Sequence, residues 1–138
     1  MGTIIHECLS HITLPADIDQ ALKKVMPRYP MFNSSHYPKL AQELLRICDH
    51  PSLRIWFSNE VKIFNEREII LPNGMPIRPD RVVVHADGWD VIDFKTGARS
   101  KKHLDQIKQY RDELEKISGQ PTKGYLVYTD EMEIVPLL

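Results

Sequence analysis

What this sequence lacks narrows it first. It has only two cysteines, Cys8 and Cys48, far apart in segments that read as helices. They are read as buried thiols in a reducing compartment, not as a disulfide framework, and two thiolates cannot ligate a four-cysteine iron–sulfur cluster. No apolar run approaches the roughly 20 residues a membrane helix requires, and the start has neither the basic region nor the long apolar stretch of a signal peptide. The expected compartment is therefore the cytoplasm, with no membrane partner. An excess of one charge is missing as well, the net charge being −1. A freestanding nucleic-acid binder usually draws affinity from Lys and Arg that release counterions. Binding by this chain alone would be weak unless its basic residues gather on one face or a neighbouring domain supplies the grip. Internal repeats and low-complexity tracts are also missing.

What is present fits one domain. With 138 residues, 42% hydrophobic and 27% charged, the chain is long enough to bury a core without disulfides or a structural metal. Residues 1–55 read as a helical part and 56–138 as a sheet with the chemistry-bearing residues. Ile4, Ile5, Cys8, Leu9 and Ile12 give a helical face over 2–12. Ile18, Ala21, Leu22 and Val25 give another over 15–26, with Asp17 or Asp19 near its start, and Leu40, Leu44, Leu45 and Ile47 a third over 37–48. Residues 53–57 form one further turn or begin the sheet. Strand-like alternation then runs from Trp56 to Leu71, with a turn near Asn65-Glu66, and Pro72-Asn73-Gly74 turns the chain so that an antiparallel meander continues toward Asp80.

The stretch from Pro79 to Lys95 organises the rest. Val82 to Val84 and Trp89 to Phe94 read as two strands joined by the turn dipeptide Asp87-Gly88. Pairing through that turn brings Asp80 and Asp93 to the same end of the sheet. Alternation puts Asp93 and Lys95 on one face and Phe94 on the other. Two carboxylates of this kind can hold Mg²⁺ or Mn²⁺, and a lysine beside them can position a water or stabilise developing negative charge, which suits phosphodiester hydrolysis. Any one of these residues alone is more simply a turn or a solvated pair. The set, at this spacing, favours the cation site.

Beyond the hairpin, Ser100 is a plausible N-cap for a long helix ending near Gly119, with Leu104, Ile107, Tyr110, Leu114 and Ile117 toward the sheet. Arg99, Lys101, Lys102, His103, Lys108 and Arg111 give its start a basic excess, opposed by Asp105. Lys101, Lys102 and Lys108 are the candidates for DNA phosphate contacts, with a solvated helix face as the alternative. Residues 123–129 and 133–137 read as strands, the first able to pair in parallel with the second strand of the hairpin through a right-handed crossover.

Pro79-Asp80, followed after the hairpin by Asp93-Phe94-Lys95, resembles the PD-(D/E)XK nuclease motif. Residues 91–97, Val-Ile-Asp-Phe-Lys-Thr-Gly, are similar to its form in RecB-type and AddA-type nuclease domains. The likeness covers most of the chain and implies an α/β fold with a restriction-endonuclease-like core: a mixed sheet flanked by helices, with a helical N-terminal part. Gly2-Thr3-Ile4-Ile5-His6 resembles the Gly-x-x-x-His helix whose histidine joins the metal ligands in that family, although alone His6 reads as a core or half-exposed residue. Likewise the resemblance implies a role for Glu60 at the edge of the site, where the plain reading is an exposed strand residue. Gln106 and Tyr110 match a Gln-x-x-x-Tyr motif lining the nucleic-acid path; without the likeness Tyr110 is core and Gln106 surface. The implied activity is Mg²⁺- or Mn²⁺-dependent DNA cleavage, with Asp80, Asp93, His6 and the Phe94 carbonyl as ligands and Lys95 assisting the water. The implied setting is an exonuclease domain excised from the C-terminal end of a helicase–nuclease, with a helicase in cis or as a partner subunit, acting in recombination and repair. Two cysteines count against the iron–sulfur branch. A catalytically silent DNA-binding module and a structure-specific or restriction-type endonuclease are the alternatives.

Overall fold

The computed structural model describes residues 2–137. The chain divides into two compact units, Met1–Val61 and Lys62–Leu138. The first is helical: α1 (Gly2–Leu9), α2 (Ile18–Val25) and α3 (Tyr37–Cys48) contact one another pairwise. Each helix has a one-sided apolar stripe, and the stripe is what is buried: Ile4, Ile5, Cys8 and Leu9 on α1, Ile18, Ala21, Leu22 and Val25 on α2. On α3, Leu40, Leu44, Ile47 and Cys48 are buried, whereas Leu45, one position off the stripe, is 49% exposed. Both cysteines are buried thiols outside any disulfide, and burial pushes the Cys8 thiol up to about 12.

The first helix stops three residues short of Ile12. The Ser10 hydroxyl donates to the Glu7 carbonyl, and the His11 and Ile12 amides donate three residues back, so the chain tightens and leaves the α-helix. Asp17 Oδ2 then accepts from the amides of Thr13 and Leu14, 2.9 Å each, and sets the start of the next helical segment. Residues 54–57 form a 3₁₀ turn, not the start of a strand.

The second unit holds β1 (Lys62–Asn65), β2 (Ile69–Ile70), β3 (Pro76–Ile77), β4 (Arg81–His85), β5 (Gly88–Lys95), α4 (Lys101–Ser118), β6 (Thr122–Tyr128) and β7 (Glu133–Pro136). Its five-stranded sheet has the order β1-β4-β5-β6-β7, with β5 and β6 parallel and the other neighbours antiparallel. Helix α4 makes the crossover between the parallel strands and packs on both. The side chain of Ser100 caps it by accepting from the Lys102 amide, and Gly119, with φ of 68°, ends it in the left-handed region. Ile107, Tyr110 and Leu114 face a core made with Val82, Val91, Leu126 and Tyr128. Burying a side chain of the size of Ile107 contributes about 2 kcal/mol. Leu104 and Ile117, expected on this face, lie at its flanks and are 39% and 46% exposed.

Two features of the hairpin region differ from expectation. No continuous meander leads to Asp80: β2 and β3 pair only with each other, and β1 pairs directly with β4. The cause is at Glu66, where φ is 43° and the amide donates to the Asp80 carbonyl at 3.0 Å, closing the β1–β4 end and turning the chain out of the sheet. The excursion returns Leu71 and Ile77 to the core. The turn itself is Ala86-Asp87, one residue earlier than the Asp87-Gly88 pattern suggests, and His85 pairs with Gly88. Gly88 serves a close approach: a Cβ there would lie 2.7 Å from the Pro121 carbonyl oxygen, which accepts the Trp89 amide at 2.8 Å. Among the described residues no helix is long and apolar enough to cross a membrane.

Candidate active site

The last ladder pair at the open end of the hairpin is Arg81 with Ile92. One position further out Asp80 therefore stands opposite Asp93, on the sheet face that α4 covers. Side chains replace the ladder here. The Asp80 amide donates to Asp93 Oδ1 at 3.0 Å, and the Phe94 amide donates to Asp80 Oδ2 at 2.8 Å. Each aspartate thus holds the backbone of the other's strand, and Pro79, lacking an N–H, adds no competing donor. Because the N–H and C=O of a strand residue point to the same edge, the Phe94 carbonyl emerges on the side of Asp80.

Lys95 follows on the same face as Asp93, its Nζ 3.5 Å from Asp93 Oδ2. It also donates to Gln106 Oε1 at 2.8 Å, and Gln106 Nε2 donates to the Tyr110 hydroxyl at 3.2 Å. One turn of α4 therefore anchors the lysine. Tyr110 is 9% exposed and part of the core, and burial raises its pKa above the ordinary tyrosine value. Of the two residues expected along a nucleic-acid path, Gln106 bonds to Lys95 and Tyr110 bonds to Gln106.

The electrostatics are those of a site short of positive charge. Burial, and then the neighbouring Asp93, raise the Asp80 carboxyl from an ordinary 3.8 to about 7, against the Phe94 amide and Lys95, which pull the other way. Burial also raises Asp93, which is 3% exposed, while the Asp80 amide and Lys95 oppose. The two titrate as a pair. Glu66 adds its negative charge to both, although its own carboxylate lies 3.8 Å from Arg78. A divalent cation is the ligand such a pair fits: hard oxygen donors, held by backbone bonds, whose mutual repulsion one cation would relieve. No third His, Cys, Asp or Glu side chain joins the pair among the described residues of this unit. The Phe94 carbonyl, on the Asp80 side, is a further oxygen that could join them.

The other expected residues are placed as follows. His6 lies half-buried on α1 and Glu60 lies exposed in a turn two residues before β1, not on a strand; both belong to the helical unit. The Glu60 amide is donated to Ser58 Oγ at 3.3 Å. Lys101, Lys102 and Lys108 are exposed on α4. Sequence reasoning missed Glu66, whose proximity depends on the β1–β4 register, and gave Tyr128 no role beyond its strand. It placed His103 only within a basic stretch, although its position three residues before Gln106 puts it on the same helix face.

A family model described as the PD-(D/E)XK nuclease superfamily matches residues 1–133. Among solved structures, a repair endonuclease from Pyrococcus abyssi is similar at 21% identity and a TM-score of 0.43, over 70% of this chain. The match spans 38% of that protein's length. No curated protein sequence matches the chain.

Proposed function

The chain belongs to the PD-(D/E)XK nuclease superfamily, and from that premise we propose that it cleaves DNA phosphodiester bonds with Mg²⁺ or Mn²⁺ at the Asp80–Asp93–Lys95 site. The family makes it a phosphodiester hydrolase of divalent-metal type, and the mixed sheet with its crossover helix is the restriction-endonuclease-like core. The observation that carries the reading is the reciprocal clamp: two carboxylates, Asp93 buried and Asp80 half-buried, locked opposite each other by 3.0 and 2.8 Å backbone bonds, with Lys95 at 3.5 Å.

Asp80, Asp93 and the Phe94 carbonyl would hold the metal. When bound, it supplies charge neutralisation at the phosphate and a more acidic water. Lys95, held out of the carboxylates' full grip by Gln106, donates to the attacking water or to the phosphate oxygen that gains charge as the P–O bond breaks. Tyr110 fixes Gln106 in the orientation that leaves its carbonyl for Lys95. Lys101, Lys102 and Lys108 would contact backbone phosphates, loosely and without sequence preference. The same proposal gives His6 a ligand's role and Glu60 an accessory one, each tested by substitution to alanine. It sets the domain in a RecB/AddA-type helicase–nuclease that processes DNA ends.

The test is degradation of linear and circular, single- and double-stranded DNA with Mg²⁺ or Mn²⁺, by wild type, Asp93→Ala and Lys95→Ala. Metal-dependent cutting lost in both variants supports the reading, and preference for linear DNA supports end processing. Cutting of closed circles or branched junctions would favour a structure-specific endonuclease. Binding without cleavage under every condition would mean a silent module.

A further inference from the structure

The reaction above makes no use of a second hydrogen-bonded pair beside it. Tyr128 lies on β6 in register with Lys95 and is buried in the core under α4. Its hydroxyl meets His103 Nδ1 at 2.9 Å, with the ring centres 5.8 Å apart. His103 precedes Gln106 by three residues on α4, so the two side chains share the face that meets the sheet. Burial, and then the nearby Lys95 ammonium, lower the His103 pKa from its ordinary value and favour the neutral ring. In a neutral imidazole one nitrogen donates and the other accepts. Among the described residues the buried Tyr128 hydroxyl has no acceptor but His103. The hydroxyl therefore donates to Nδ1, and the ring hydrogen sits on Nε2. The result is an oriented, uncharged donor one helical turn from the residue that anchors Lys95.

We infer that His103 Nε2, aimed by Tyr128, donates to a non-bridging oxygen of a DNA backbone phosphate in this site, His103 being a substrate-binding residue and Tyr128 the positioning residue behind it. The inference rests on the nuclease reading. An uncharged donor suits the place: a second cation there would compete with Lys95 and the metal for the carboxylates, whereas an imidazole N–H adds direction without charge.

The experiment is steady-state cleavage of a linear DNA oligonucleotide with Mg²⁺ or Mn²⁺ by wild type, His103→Ala, His103→Gln and Tyr128→Phe. Loss of a hydrogen bond to a charged oxygen should raise KM about tenfold in His103→Ala with kcat changed by less than about threefold. His103→Gln, whose amide presents an N–H, should recover most of that loss. Tyr128→Phe, which frees the ring without removing it, should raise KM by about threefold. A KM within about twofold of wild type in His103→Ala overturns the inference, and so does a His103→Gln no better than alanine. If these variants match a wild type whose cleavage Asp93→Ala abolishes, only this inference fails. If wild type cuts nothing with either metal, the nuclease reading fails and takes the inference with it.

Discussion

The β4–β5 hairpin buries an acid at each end, and the two ends treat it differently. At the turn end Asp90 lies 2.6 Å from Nε2 of His85, its diagonal neighbour across the two strands, so a carboxylate meets an imidazole. At the open end Asp93 faces another aspartate, and both carboxyls are raised. A sheet built only for stability would repeat the first arrangement, since like charges directly opposite one another are destabilising. The second persists because the backbone amides of Asp80 and Phe94 hold the two acids where they are. Perturbed carboxylates gathered at one end of an otherwise well-paired element mark where the fold has given up stability for chemistry.

The sharpest way to break the comparison is catalytic. Asp93→Ala or Lys95→Ala should lower metal-dependent DNA cleavage by at least about 10³-fold, as should a chelator, read as the initial rate on a linear substrate. Asp90→Ala at the turn end should leave that rate within about threefold. An equal loss at both ends would mean that the hairpin's integrity, and not the Asp80–Asp93 pair, limits the reaction.

Next in size are stability effects. Gly88→Ala forces a methyl group to 2.7 Å from the Pro121 carbonyl oxygen, and should cost about 2–3 kcal/mol in denaturant unfolding. Asp80→Asn should do the reverse. Because the Asp80 carboxyl is raised to about 7 in the folded protein, folding is favoured by its proton, and that favour is lost as pH rises from about 4 through 7. The asparagine keeps an acceptor for the Phe94 amide without the charge. It should be more stable than wild type by about 2 kcal/mol at pH 8, with the gain vanishing at about pH 4, while cleavage is lost. A pH-independent difference would show that repulsion within the pair is not what burdens the site. The smallest effect is expected at the turn, where His85→Ala should cost about 1 kcal/mol for its hydrogen bond to Asp90.

Much of this was legible because it follows from local rules. Periodicity marked α2, α3 and α4, Ser100 and Gly119 marked the ends of the last of these, and alternation in 79–95 put Asp80, Asp93 and Lys95 at one end of one face. The misplaced pieces lie where a non-local contact overrides the local pattern. Gly88 is a strand residue because Pro121 crosses it. The meander toward Asp80 fails because Glu66 bonds back to the Asp80 carbonyl. Glu60 falls in a turn because β1 starts only at Lys62, where pairing with Val84 begins.

The sequence alone determined that two aspartates and a lysine would meet, since strand alternation and a short turn leave a side chain no other direction. Tertiary structure decided what those groups became. Burial under α4 and the exchange of backbone bonds between strands shifted both acids, and the helix supplied Gln106 to hold Lys95 and His103 to pair with Tyr128. Desolvation and hydrogen bonding depend on what lies across the gap, and no local pattern in the chain states that.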